Sequence, residues 1–108
     1  MPPDLPIIYR IYNNTFSWDP RKAQSNVEKH GLSFEEAATV FRDSQGLDRD
    51  DSRHVAIELR RKRLAKSLLG QVLLVIYTVR RNGDGKETFR IISARYASRK
   101  ERKAYFGS

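Results

Sequence analysis

Five arginines set on or beside strand-like stretches are the chain's most chemically suggestive feature: Arg53, Arg60, Arg80, Arg90 and Arg95. A guanidinium stays protonated at physiological pH, and its planar fork matches two oxygens of a phosphate. Several forks on stiff backbone could gather around charge building on a phosphate ester. That chemistry also needs a base, and His54 and Glu58 are the candidates. Alternate residues on a strand share a face, so His54, Glu58 and Arg60 would form one row. Arg80 and Arg95 are the preferred charge-stabilising pair downstream. On the second strand of the central hairpin, alternation groups Arg95 with Phe89 and Ile91, and Arg90 with Ile92 and Ala94. Each residue has a plainer reading too. The arginines could pair with Glu58, Glu87 or Glu101, and His54 could be structural.

The charge balance says what such a surface would meet. The chain has 108 residues, with 21 Lys plus Arg against 13 Asp plus Glu, for a net charge of +8. Residues 1–54 hold 7 basic and 9 acidic side chains, whereas residues 55–108 hold 14 and 4. So basic a half calls for an anionic partner, nucleic acid first and an acidic protein segment second. A merely solvated surface is the bland alternative. Lys22, Lys29, Arg90, Arg99, Lys100, Arg102 and Lys103 are the candidate nucleic-acid contacts, the last four on a basic terminal helix that could instead meet a protein partner. Lys22 and Lys29 could simply solubilise a helix. His30 reads as a cap or core-edge residue, and Trp18 as a packing residue.

Other chemistries are set aside. The chain has no cysteine, which removes disulfides, thiol nucleophiles and thiolate metal sites. Its two histidines are not an i, i+4 pair, and there is no glycine-rich phosphate loop, so neither a metal nor a cofactor is expected. No apolar run approaches the roughly 20 residues of a membrane span. The start lacks the pattern of a signal peptide, and a cytoplasmic protein is the expectation.

The elements that must position these residues are legible in outline. Val72–Val79 is a nearly continuous apolar run, suited to a strand covered on both faces. Asn82-Gly83-Asp84-Gly85 supplies the turn to a second strand over Thr88–Tyr96. Ile7–Tyr12 and Thr15–Trp18 read as strands split by Asn13-Asn14. Asp19-Pro20 opens a helix in which Ala23, Val27 and His30 share a face, and Gly31 ends it. Ser33 to Glu36 is a capping box for a second helix, striped by Phe34, Ala37, Ala38 and Phe41 and fading near Asp43. Residues 44–53 read as a loop. Val55, Ile57 and Leu59 alternate as in a strand, with a helix over 55–68 as the alternative, and Arg60 to Arg63 break the pattern. Ser98 to Glu101 is a further capping box, opening a short helix through Tyr105. One domain of α+β class follows: a compact antiparallel sheet, two N-terminal helices and a short C-terminal one.

Two blocks carry a family likeness. Phe16–Phe41 (FSWDPRKAQSNVEKHGLSFEEAATVF) and Arg90–Tyr105 (RIISARYASRKERKAY), with Gly70 and Thr78-Val79-Arg80 between them, resemble BrnT toxins of bacterial type II toxin–antitoxin systems. The likeness covers about residues 16–105, leaving 1–15 as an N-terminal extension. Ser52-Arg53 stands where that family tends to have Glu-Arg, and the basic stretch Arg61–Lys66 where a short turn is expected. The resemblance implies a RelE-like fold and a metal-independent endoribonuclease that stops translation. It also implies a BrnA-like ribbon-helix-helix antitoxin, with operator DNA bound only through the complex. RNA is cut without metal when its 2′-hydroxyl attacks the adjacent phosphate, which needs the base and cations named above. A non-catalytic nucleic-acid-binding module and an inactive toxin relic are the other readings.

Overall fold

The computed structural model describes residues 5–51 and 59–107. Six strands form one sheet: β1 (Ile7–Ile11), β2 (Asn14–Trp18), β3 (Leu47–Asp50), β4 (Arg60–Lys66), β5 (Val72–Arg81) and β6 (Glu87–Tyr96). Their spatial order is β1-β2-β6-β5-β4-β3. The helices are α1 (Pro20–His30), α2 (Phe34–Ala38), which tightens into a 3-10 turn over Thr39–Arg42, and α3 (Arg99–Gly107). None of the described helices is long and apolar enough to cross a membrane.

The hairpin of β5 and β6 is central, as its composition requires. Val72 through Thr78 are buried. Leu73 and Val75 enter one apolar cluster with Phe16, Trp18, Leu32, Phe34 and Ala94. Val72, Leu74 and Ile76 join Leu64 in a second, against Ala97 and Tyr105. So α1, α2 and the 3-10 turn cover one face, and α3 sits on the other.

The sheet is mixed rather than antiparallel, because β2 runs parallel to β6, with Phe16 beside Phe89 and Ser17 beside Arg90. The aromatic packing accounts for this: Phe16, Phe89 and Phe41 have ring centroids 5.1–5.7 Å apart. The direction also lets α1 leave β2 along the remaining edge of β6. There Asn26, not Val27, is the buried residue of α1; Val27 is half exposed. Asn26 accepts from the Ala94 amide (3.0 Å) and donates to the Leu32 carbonyl (2.9 Å). A polar side chain thus completes the sheet edge where no strand pairs; of the expected face, Ala23 packs against the core while Val27 and His30 turn toward solvent.

The caps match their sequence signals. Asp19 accepts from the Arg21 amide (2.8 Å), Ser33 from Glu36 (3.1 Å) and Ser98 from Glu101 (3.1 Å). Gly31 closes α1 at φ 64°, which an L-residue resists. Tyr12 and Asn13, both at positive φ, make the two-residue β1–β2 turn.

Three other expectations fail for one reason: alternating charges can build a strand when the partner strand answers them. The loop read over 44–53 contains β3. The run Arg60 to Arg63, read as a break, is the start of β4, while Leu59 is not in a strand. β3 and β4 pair Asp48 with Arg63 and Asp50 with Arg61. The turn expected within 61–66 falls instead at Ser67 to Gly70.

The grouping of arginines on β6 also changes. The β5–β6 register jumps from Ile76 with Ser93 to Tyr77 with Ile91, so Ile92 is an extra residue. This bulge reverses the alternation. Arg95 lies opposite Leu74, away from Phe89 and Ile91, and Arg90 lies opposite Thr78 on that same α3 face.

Candidate nucleic-acid interface

Side-chain alternation on β4 divides its cations between the two faces. Arg61 and Arg63 point to the face covered by α1 and α2, where carboxylates hold them. Arg61 pairs with Asp50 (3.1 Å), and its Nε donates to the Tyr77 hydroxyl (3.4 Å), which itself donates to Asp48 (2.7 Å). The Tyr77 contact holds the Arg61 proton more tightly, raising its pKa, while burial pushes the Tyr77 phenol up. Arg63 is fixed by Asp48, by the Val40 carbonyl (2.9 Å) and by the Phe41 ring 5.6 Å away. A Cβ at Gly46 would meet the Arg63 guanidinium and make it shift.

Arg60 and Lys62 point to the other face. The register sets Arg60 beside Thr78 and Thr78 beside Arg90, a row across β4, β5 and β6. Among the described residues, no carboxylate is hydrogen-bonded or ion-paired to Arg60, Lys62 or Arg90. All three residues are partly buried. Thr78 is 1% exposed, and its hydroxyl has no hydrogen-bond partner among those residues. Arg80 lies two residues further along β5 on this face, opposite Thr88.

The remaining sequence candidates separate clearly. Arg95 is gripped by Glu101 through two bonds of 2.8 and 2.9 Å, and the Ser98 amide adds a third contact to Glu101. The fork of Arg95 holds the Glu101 carboxyl down to about 2, and the carboxylate in turn raises the pKa of the guanidinium. Arg95 therefore anchors α3 to β6. Lys22, Lys29 and His30 of α1 line a depression beside Ile92 and Ser93, which continues to Arg95. Arg99, Lys100, Arg102 and Lys103 are all exposed on α3, with Arg102 over the Phe106 ring. Arg53, His54 and Glu58 lie outside the described residues, so the row proposed for His54, Glu58 and Arg60 is represented by Arg60 alone. Lys62 and Arg49 were missed. The signal was present in the alternation of Leu47-Asp48-Arg49-Asp50 against Arg61-Lys62-Arg63-Leu64, which sends Arg49 and Lys62 together to the α3 face. Among the described residues, no cluster of His, Asp or Glu could hold a metal.

This face offers cations on a stiff sheet, beside a helix whose own surface is basic. Such a surface suits a phosphodiester chain. The family profile described as "Ribonuclease toxin, BrnT, of type II toxin-antitoxin system" matches residues 18–101. The chain belongs to the BrnT toxin family. A comparison with curated proteins gave no match. The 1.1 Å crystal structure of the Brucella abortus ribonuclease toxin BrnT is similar in fold, with a TM-score of 0.55 and 24% identity over 76% of this chain and 94% of that one. The BrnT match begins at Trp18, the last residue of β2, so β1 precedes it.

Proposed function

We propose that this BrnT-family chain is a RelE-like, metal-independent endoribonuclease that acts in the cytoplasm, cuts RNA and thereby blocks translation. The observation that carries the reading is the Arg60–Thr78–Arg90 row, in which neither arginine is hydrogen-bonded or ion-paired to a carboxylate among the described residues, on the sheet face opposite the locked Arg61 and Arg63. A BrnA-like antitoxin would neutralise the protein, and operator DNA would be met only through that complex.

In this reading the two guanidinium groups take the non-bridging oxygens of one phosphate. The 2′-hydroxyl on its 3′-linked sugar attacks phosphorus and gives its proton to a base. His54 and Glu58, six and two residues before Arg60, are the proposed bases. The charge that grows on the phosphate is met by arginines already in place, so little reorganisation is needed. The bond to the 5′-oxygen breaks, that oxygen takes a proton, and the products are a cyclic phosphate and a free 5′-hydroxyl. Arg80 supports the row from β5. Lys22, Lys29 and the basic residues of α3 extend the contact to neighbouring phosphates, and Arg95 acts through the placement of α3.

Purified protein incubated with RNA in EDTA, with and without ribosomes, tests this directly. Defined cleavage products ending in cyclic phosphate are expected. The Arg60→Ala/Arg90→Ala variant should lose on the order of a thousandfold in rate while remaining folded. RNA that is bound with a steep salt dependence but left intact would instead identify a non-catalytic binding module.

A further inference from the structure

A groove of about 400 Å³ runs between α3 and the β3–β4 edge. Its floor is apolar, made by Leu47, Leu64 and Leu74, and its rim is cationic, made by Arg49, Lys62 and Lys100. Glu101 also lines it, but that carboxylate is occupied by Arg95. Among the described residues, no carboxylate is bonded to Arg49, Lys62 or Lys100. α3 covers this ground thinly, since none of its residues is buried. It is held by Arg95 at one end and by Tyr105, whose hydroxyl donates to Asp43 (2.5 Å), at the other.

We infer that this groove is a docking site for an acidic amphipathic protein segment. The composition decides between partner classes. A nucleic acid could use the cations but not the leucine floor, and among the described residues no aromatic side chain lines the groove to stack a base. A peptide with spaced Leu or Ile and flanking Glu or Asp would use both. The volume admits a few side chains rather than a folded domain. The inference rests on the toxin reading for its meaning: the natural owner of such a segment would be the antitoxin. Lys62 stands two residues along β4 from Arg60, roughly 7 Å at strand spacing. An occupant pairing with Lys62 would therefore reach Arg60, the near end of the Arg60–Thr78–Arg90 row, and compete with RNA there.

The test uses a synthetic amphipathic helix of about five turns, Leu on one face and Glu on the other, against the same peptide with Lys for Glu. Binding to the full chain is followed by titration and by the methyl signals of Leu47, Leu64 and Leu74. The Glu peptide should shift those methyls, and the Lys peptide should not. Arg49→Glu/Lys62→Glu should weaken the Glu peptide at least about tenfold, and Leu47→Asp should weaken it without changing the rim. Equal binding of both peptides, unchanged binding to these variants, or shifts confined to other methyls would overturn the inference. So would a single-stranded RNA oligonucleotide that moves the same methyls at lower concentration than the Glu peptide. No step reads cleavage, so a chain that failed to cut RNA would still test the groove, and a failed groove would leave the nuclease reading standing.

Discussion

The two faces of the sheet use the same residue type to opposite ends. On the face beneath α1 and α2, Arg61 and Arg63 are answered by Asp50 and Asp48, and aromatic rings pack around them. On the face shared with α3, Arg60, Lys62 and Arg90 have no such answer among the described residues. Adjacent positions on β4 thus differ in role because strand alternation sends them to different neighbours. An arginine's environment separates structural from functional more sharply than its place in a basic run.

That contrast can be broken or sharpened by substitution. The largest effect on stability should come from Arg63→Ala, which strips partners from Asp48 and from the carbonyls of Val40 and Asp43 at once. A loss of about 3 kcal/mol in chemical denaturation is expected; a loss near zero would erase the distinction between the faces. Next, Arg90→Ala should weaken RNA binding about tenfold and lower the salt slope by about 1, with little change in stability. Arg81→Ala should do neither, because Arg81 is exposed at the hairpin end beside Glu87, 3.5 Å away.

The smallest effect concerns the latch on α3. The Glu101 carboxyl is held at about 2, below its ordinary 4.5. A depressed folded value means that its stabilisation is full above about pH 4.5 and is lost as the pH falls toward 2. Both partners are partly exposed, 42% and 28%, so screening limits the effect to about 1 kcal/mol. Denaturation of the wild type and of Glu101→Gln should therefore differ near neutral pH and converge near pH 2. A difference that grows on acidification would contradict the latch.

Much of this was legible in the residues. The β-branched run of β5, the Asn-Gly and Asp-Gly turn, and the three capping signals each act through local chemistry, so sequence reveals them. β3 and β4 were hidden because their charges make sense only across the strand pair. The parallel placement of β2 depends on Phe16 meeting Phe89, and the bulge at Ile92 on a register that no periodicity announces. For the candidate interface, Arg60 and Arg90 were visible as residue types, but their sharing of a face was not. That required the bulge, which undid the expected grouping of Arg90 with Ala94. Arg95 carried the opposite lesson: its pairing with Glu101 was one of the plain alternatives, and the geometry realises it. Lys62 and Arg49 were overlooked because the strands that orient them were overlooked.

The most direct test compares two neighbours on one strand. Single-turnover cleavage of RNA in EDTA by Arg60→Ala and by Arg61→Ala, each checked for intact fold, separates the faces of β4 with everything else held constant. Cleavage should fall by on the order of a hundredfold in Arg60→Ala and stay within a few-fold of wild type in Arg61→Ala. Equal losses in both, or a loss only in Arg61→Ala, would contradict the assignment of RNA chemistry to the face shared with α3.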